Sequence, residues 1–152
     1  RVTLREGASV VDSVASFAMI RGGHIDVTIL GAFEVASNGD LANWDSRMPD
    51  KGPLVGGAMD LVVGAKATWA LMQFNTKDGG PRLLEACTLP LTAQRCVKRI
   101  YTDIAVVDVT PDGFVVRELL ASISEDELRS RAAARLTIAG DCRPLEAPDI
   151  AV

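Results

Sequence analysis

The sequence predicts one α/β domain, a layered fold in which helices flank a mostly parallel sheet. Two observations indicate this: β-branched apolar segments alternate with segments of helical periodicity, and no long Pro-, Gly- or Ser-rich linker divides the chain. The 152 residues are 48% hydrophobic, which is enough apolar material to bury a core. We therefore expect a single domain over residues 1–140, followed by an extended or disordered C-terminal tail over 141–152.

The first elements follow the order strand, helix, strand. Residues 2–4 predict a short strand that ends in a glycine turn. Residues 9–21 place apolar side chains at helical spacing, with Ser9 as a candidate N-cap and the glycine pair 22–23 as the stop signal. Residues 25–30 are β-branched and bounded by glycine, which favours a buried strand.

The middle of the chain mixes turns with short elements. Residues 37–57 are dominated by turn signals, and residues 58–65 predict a short helix. Residues 68–74 form a second buried-strand candidate, and 75–81 form a polar loop. Residues 87–99 combine helical and loop signals, so no element is assigned there.

The last third predicts a hairpin and a capped helix. Residues 104–109 and 114–119 are strand candidates joined by a turn over 111–113, which adds an antiparallel edge to the sheet. Ser124 and Glu127 fit a capping box. The helix that follows continues through three apolar positions: Leu128, Ala132 and Leu136.

Composition argues against several classes of function. The formal net charge is −4 and no basic patch stands out, which disfavours nucleic-acid binding. Three cysteines without a C-x-x-C motif and one histidine indicate neither a disulfide framework nor a zinc site. No apolar stretch reaches the roughly 20 residues of a membrane span. We expect a cytoplasmic protein with reduced thiols, no metal and no cofactor.

Taken singly, the chemically interesting residues favour structural interpretations. The glycine pairs 22–23 and 56–57 could bring backbone N–H groups close to an anion, but each is more typical of a tight turn. His24 precedes a strand and has no nucleophile placed beside it, and Cys87 and Cys96 are expected to pack in the interior. The carboxylates are scattered and suggest no acid–base pair: Asp26, Glu34, Asp40, Asp103 and Asp108.

Read as phrases, the segments of residues 2–120 resemble a single family. The phrases are SFAMIRGGH at 16–24, LGAF at 30–33, GDLANW at 39–44, GGAMDL at 56–61, CTLPLT at 87–92 and RIYTD at 99–103. In this order and spacing they resemble the B (beta) subunit of family I, 3-oxoacid CoA-transferases, in its C-terminal portion. The RIYTD phrase and the surroundings of the glycine pair 56–57 are most similar to the 3-oxoadipate branch.

The resemblance implies a CoA-transferase-like fold and a ping-pong transfer of CoA from an acyl-CoA, such as succinyl-CoA, to a 3-oxo acid. In the family a glutamate attacks the thioester and then holds CoA as a glutamyl-CoA thioester. That glutamate belongs to a Ser-Glu-Asn-Gly phrase that would lie upstream of Arg1, and no Glu-Asn-Gly occurs here. We therefore expect the N-terminal part of the family's domain, with its catalytic residue, to be missing from this chain. Glu6 and Glu34 stand in other motifs.

The resemblance also implies partners and a pocket. The partners would be an A subunit in a hetero-oligomer, an acyl-CoA and a 3-oxo acid, with the CoA thioester as substrate. Gly57, with its neighbour Gly56, matches the glycine pair whose N–H serves as an oxyanion donor. Asn43 matches a polar residue that orients the acyl or CoA carbonyl.

Two departures from the family pattern concern specificity. Residues 45–54 replace a loop that is Gly/Lys-rich or Ala/Gly-rich in the family, a change that can affect acyl specificity. Phe74 stands where many members have histidine. The alternatives are a transferase that prefers acetate, butyrate or acetoacetate, or a non-catalytic subunit kept for assembly.

Overall fold

The computed structural model describes residues 3–50 and 52–147. In these ranges three helices occur: α1 (Ser13–Arg21), α2 (Ala58–Gly64) and α3 (Glu125–Arg131). The strands are β1 (Val27–Gly31), β2 (Glu34–Ala36), β3 (Leu41–Ala42), β4 (Ala67–Leu71), β5 (Leu83–Leu84), β6 (Val97–Tyr101), β7 (Ala105–Thr110), β8 (Gly113–Leu119) and β9 (Leu136–Pro144).

The larger sheet has six strands in the order β1-β4-β6-β7-β8-β9. Its β1–β4, β4–β6 and β8–β9 pairs are parallel, and its β6–β7 and β7–β8 pairs are antiparallel. A smaller sheet orders its strands β3-β2-β5. The predicted α/β class with flanking helices is therefore confirmed, and the larger sheet is mixed, with three parallel and two antiparallel pairs.

The hairpin lies inside the sheet, not at its edge as expected. β7 pairs with β6, and β8 pairs with β9, so each hairpin strand has a second neighbour. The sequence pattern missed both outer partners. In β6 the charged pair Lys98 and Arg99 hides the apolar alternation, although Val97 and Ile100 are buried. β9 follows α3 and pairs in parallel with β8, so α3 forms the crossover between these two strands.

The first helix is shorter than predicted. It begins at Ser13 because the Asp12 carboxylate accepts a hydrogen bond from the Ala15 N–H at 2.7 Å, whereas Ser9 makes no cap. The predicted stop is confirmed, since Gly22 caps the helix and Gly23 has a φ of 73°.

The strand predicted at the start of the chain is wrong over the residues that can be compared. Residues 3–5 form no strand. Arg1 and Val2 lie outside the described residues. The expectation that the catalytic glutamate stands upstream of Arg1 concerns residues beyond this chain and stays a prediction.

The third helix begins as predicted and ends early. The Ser124 hydroxyl accepts from the Glu127 N–H at 3.2 Å, which confirms the N-cap. The helix ends at Arg131, and Leu136 instead opens β9 as a buried residue. The predicted tail boundary at Gly140 falls within β9, because Arg143 and Pro144 still pair with β8. Residues 148–152 lie outside the described residues.

One core connects both sheets. Its buried side chains come from the small sheet, the centre of the large sheet and α3, and include Val35, Leu41, Leu83, Ile100, Phe114 and Leu128. Burial of each large apolar side chain stabilises the fold by about 1.5–3 kcal/mol. β1 departs from the expected buried strand, since it ends the strand order and leaves Ile29 59% exposed.

Candidate functional site

The candidate site lies at the carboxyl edge of the parallel strands β1, β4 and β6. These strands end at Gly31, Leu71 and Tyr101, and open α/β sheets bind ligands beyond the carboxyl ends of their strands. The segment between β1 and β4 contains α2, whose first turn follows Gly56 and Gly57. A helix that connects two parallel strands runs back along the sheet, so its N-terminus faces the same edge.

Asn43 holds the end of β1 in place. Its Nδ2 donates to the Gly31 carbonyl at 3.0 Å, and its Oδ1 accepts from the Thr92 hydroxyl at 2.6 Å. The Asn43 N–H also donates to the Thr92 hydroxyl oxygen at 3.1 Å. Both ends of this carboxamide thus have partners within the chain, which leaves its second N–H as the group able to reach a ligand.

The glycine pair at 56–57 immediately precedes α2, and its two members differ sharply in their surroundings. A Cβ at position 57 would lie 2.5 Å from Cζ of Phe17 on α1, whereas a Cβ at position 56 would meet no atom within 4 Å. Gly57 is therefore needed for the contact between α1 and α2 whatever its chemical role. A Gly57→Val change would displace Phe17 and so disturb the packing of α1 on α2.

A cleft of about 390 Å³ opens beside this edge. We call it the Trp44 cleft and define it by its lining residues: Phe33, Trp44, Ser46, Met48, Gly52, Leu54, Thr76, Lys77, Asp78 and Arg82. Phe33 follows β1 and Thr76 follows β4, so the cleft walls are formed by segments that follow the carboxyl ends of these parallel strands. The divergent segment 45–54, whose role the sequence left open, supplies one wall.

The walls of the Trp44 cleft are fixed by hydrogen bonds. The Trp44 indole N–H donates to the Leu91 carbonyl at 3.2 Å, and the Leu54 N–H donates to the Trp44 carbonyl at 2.6 Å. On the other side, the Thr76 hydroxyl accepts from the Gly80 N–H at 2.8 Å and closes a tight turn. The cleft is therefore built from constrained segments.

Sequence reasoning missed Arg82. The residue follows a segment interpreted only as a polar loop, and no motif singled it out. Its Nε is buried and, among the described residues, has no hydrogen-bond partner. An unsatisfied buried donor costs about 1–3 kcal/mol, so it requires an explanation.

The carboxylates considered from sequence serve structural roles. Glu34 accepts from the Thr88 N–H and hydroxyl, both at 2.7 Å, and from the Leu89 N–H at 3.0 Å. Each of the others accepts from a backbone or side-chain donor: Asp26, Asp40, Asp103 and Asp108. These contacts agree with the expectation that none of them forms an acid–base pair.

The cysteines are poor nucleophiles. Burial, with the negative charges of Glu34 and Asp40, raises the pKa of the Cys87 thiol to about 12. Burial raises the pKa of Cys96 to about 11. Both thiols are protonated at neutral pH, in agreement with a packing role. His24, expected as a structural residue, is exposed, and its backbone N–H donates to the Met19 carbonyl at 3.1 Å.

The side-chain types that bind metals are dispersed over the fold. Within residues 3–50 and 52–147, no three His, Cys, Asp or Glu side chains are grouped to hold a metal ion. No helix in the described part of the chain has the length and apolar character needed to cross a membrane.

Comparison with known proteins adds a family match. The model of the coenzyme A transferase family matches residues 2–120. One relative, the B subunit of 3-oxoadipate CoA-transferase from Acinetobacter baylyi, is 48% identical over 135 residues, which cover 89% of this chain and 62% of the relative. Another, the B subunit of succinyl-CoA:3-ketoacid coenzyme A transferase from Helicobacter pylori, is 42% identical over 90% of this chain and 66% of its own length.

Solved structures support the fold. An acyl-CoA transferase from Escherichia coli O157:H7 superposes with a TM-score of 0.76, covering 91% of this chain and 31% of that one at 17% identity. At this identity the likeness concerns the fold alone. The chain spans about three-fifths of the length of the first curated relative, 62%.

Proposed function

We propose that this chain, which belongs to the coenzyme A transferase family, is part of a CoA-transferase B subunit that transfers CoA from an acyl-CoA to a 3-oxo acid. Succinyl-CoA is the proposed donor and 3-oxoadipate the proposed acceptor. The observation that carries this proposal is the 48% identity, over 89% of the chain, with the Acinetobacter baylyi relative, which is named for 3-oxoadipate. The protein would assemble with an A subunit in a cytoplasmic hetero-oligomer.

The proposed reaction proceeds in two halves. A glutamate carboxylate from outside these 152 residues attacks the carbonyl carbon of the acyl thioester and expels the CoA thiolate, which leaves a mixed anhydride of the acyl group and the glutamate. The thiolate then attacks the glutamyl carbonyl of that anhydride, so the donor acid departs as a carboxylate and CoA remains as a glutamyl-CoA thioester. The acceptor carboxylate then enters, and the same steps in reverse yield its CoA thioester and the free glutamate. Splitting the exchange in this way avoids a direct transfer between two bound acids.

This chain would supply the surroundings of the thioester rather than the nucleophile. We assign the Gly56 and Gly57 N–H groups to the oxyanion that develops during each attack, since they precede the first turn of α2. Asn43 would position that edge by holding the Gly31 carbonyl, with its second N–H directed to a substrate carbonyl. These roles rest on motif position and on the shared edge of the sheet.

A second candidate has a specific observation in its favour. The Helicobacter pylori relative, at 42% identity, is named for succinyl-CoA and a 3-ketoacid rather than 3-oxoadipate. A panel of acceptors would separate the two: a preference for 3-oxoadipate over acetoacetate supports the first candidate, and the reverse preference supports the second.

The proposed function is tested by trapping the covalent intermediate. The full-length B subunit, co-purified with its A subunit, is incubated with succinyl-CoA and then with borohydride or hydroxylamine. We expect loss of activity and a modified glutamate in the B subunit, identified by mass spectrometry. A sample without acyl-CoA is the control. Failure to trap an intermediate with any acyl-CoA in a verified complex would refute the proposal.

A further inference from the structure

We infer that the Trp44 cleft binds the distal, non-reacting carboxylate of a dicarboxylic acyl group, with Arg82 as its principal ligand and Lys77 as a second. The inference rests on the proposed transferase function and gives its substrate class a physical basis. Both the succinyl group and 3-oxoadipate end in a second carboxylate. Acetoacetate, which has one carboxylate, would leave this subsite without its anion.

The first argument is the unmatched charge of Arg82. Its buried Nε has no acceptor among the described residues, and no described carboxylate lies within 4.0 Å of its guanidinium. Several other arginines are paired, such as Arg99 and Arg117 with Asp108, and the remaining described arginines without an ion pair are exposed: Arg5, Arg47, Arg95 and Arg135. An arginine that lines a cleft and has no carboxylate partner among the described residues is well suited to an anion that arrives with the substrate.

The second argument is the chemistry of the walls. Phe33, Trp44, Met48 and Leu54 present apolar surface, and Arg82 and Lys77 present positive charge in the same cleft. Apolar walls suit the methylene groups of an acyl chain, and the cations suit its terminal carboxylate. Asp78 also lines the cleft, so the lining has a positive balance of one charge, two cations less one anion.

The third argument is preorganisation. The Arg82 carbonyl accepts from the Val35 N–H at 3.0 Å, which ties the residue to the small sheet. Trp44 is held by the Leu91 carbonyl, and the turn that bears Lys77 is closed by Thr76. Side chains that rigid elements hold in place lose less conformational entropy when a substrate binds to them. The volume of about 390 Å³ lies within the usual range for small-molecule sites.

The same cations could instead meet a phosphate of CoA, so the experiment must separate two anions. In a ping-pong reaction, kcat/KM for an acceptor depends only on the half-reaction in which that acceptor takes part. The test therefore compares 3-oxoadipate with acetoacetate on the complete complex of B and A subunits, with CoA already on the enzyme. Loss of a phosphate contact would affect both acceptors equally.

The variants are Arg82→Gln and Arg82→Lys, with Lys98→Gln as the control. Lys98 is exposed on β6 and does not line the cleft. We expect Arg82→Gln to lower kcat/KM for 3-oxoadipate by about 10- to 100-fold, the effect of losing a hydrogen bond to a charged group. Acetoacetate should change by less than about twofold, and Arg82→Lys should be intermediate. Equal losses for both acceptors, or no loss, would overturn the inference.

A binding measurement separates this inference from the proposed function. Adipate and hexanoate have the same chain length but two and one carboxylates, and neither has a 3-oxo group. We expect adipate to raise the melting temperature of the wild-type complex but not of Arg82→Gln, and hexanoate to have little effect on either. An inactive wild type with Arg82-dependent adipate binding would refute only the transferase. An active enzyme without this dependence would refute only the subsite. If Arg82→Gln fails to assemble, Lys77→Gln provides the comparison.

Discussion

Asp108 shows how a single side chain organises the surface of the large sheet. Its Oδ1 accepts from Arg99 Nε at 2.6 Å, and its Oδ2 accepts from Arg117 Nε at 2.8 Å. These donors lie on the neighbouring strands β6 and β8, so one carboxylate bridges three strands. Burial opposes ionisation of Asp108, but the hydrogen bonds from both arginines outweigh it and hold its pKa below the ordinary value.

We predict that Asp108→Asn lowers the free energy of unfolding at neutral pH by about 1–2 kcal/mol, a figure reduced for the partial exposure of both arginines. A depressed folded-state pKa contributes stability above the unfolded pKa of about 3.9, and that stability is lost as the pH falls through the folded value. Urea unfolding at neutral pH and near pH 3 should therefore show a difference that shrinks in acid.

The control for this prediction is Asp112→Asn, since Asp112 is exposed in the hairpin turn and belongs to none of the ion pairs among the described residues. It should change the stability by less than about 0.5 kcal/mol at either pH. A difference for Asp108→Asn that is equally large in acid would show that the loss comes from packing and not from charge.

At the scale of elements, the contact between α1 and α2 depends on two glycines. Gly57 faces the ring of Phe17, and a Cβ at position 64 would overlap the Ile20 carbonyl. The backbone of α1 cannot yield as easily as a half-exposed ring. A bidentate ion pair between Arg21 and Asp60, with both contacts at 2.9 Å, joins the same two helices.

We predict a graded response to alanine at the three glycines of this region. Gly64→Ala should destabilise the protein most, by about 2–3 kcal/mol, because overpacking exceeds the roughly 1 kcal/mol that alanine gains over glycine in a helix. Gly57→Ala should cost about 1 kcal/mol, and less in a Phe17→Ala background. Gly56→Ala, which meets open space, is the matched control. Thermal unfolding measures all three.

A Gly56→Ala cost as large as that of Gly64→Ala would contradict this packing account. The grading also bears on the proposed oxyanion site. Activity lost in Gly57→Ala has two causes, the movement of Phe17 and any change at the N–H, whereas activity lost in Gly56→Ala would report on the backbone alone.

At the scale of the molecule, the two sheets share one core. Leu83 of the small sheet is fully buried in the same cluster as Ile100 and Phe114 of the large sheet. Trp44 reports on the cleft beside the small sheet, and Trp69 lies in β4 of the large sheet, with its ring 5.4 Å from that of Tyr101. The fluorescence of Trp44 can therefore report on the region of the small sheet, and that of Trp69 on the large sheet.

We predict that Leu83→Ala lowers the free energy of unfolding by about 2–5 kcal/mol and shifts the transitions seen by both tryptophans together. Variants with only one of the two tryptophans allow the transitions to be followed separately by fluorescence. Leu71→Ala, the same change at a residue that is 60% exposed, is the control and should have little effect. Separate transitions would show that the small sheet unfolds independently.

Local signals were sufficient for several features of the chain. The Ser124 cap, the stop at residues 22–23, the short helix after Gly57 and the hairpin turn at 111–113 were all predictable, because each depends on hydrogen bonds or backbone preferences within a few residues. The ordered phrases of residues 2–120 were likewise enough to recognise the family, which the family model matches over the same range.

Tertiary structure alone decided which strands are neighbours and which polar groups meet. The hairpin became interior because β6 and β9, whose charged residues obscured their periodicity, pair on its two sides. Arg82 became part of a cleft because a segment after β4 lies against one after β1. Such contacts join residues distant in the chain, and their energies depend on burial and geometry that no local pattern contains.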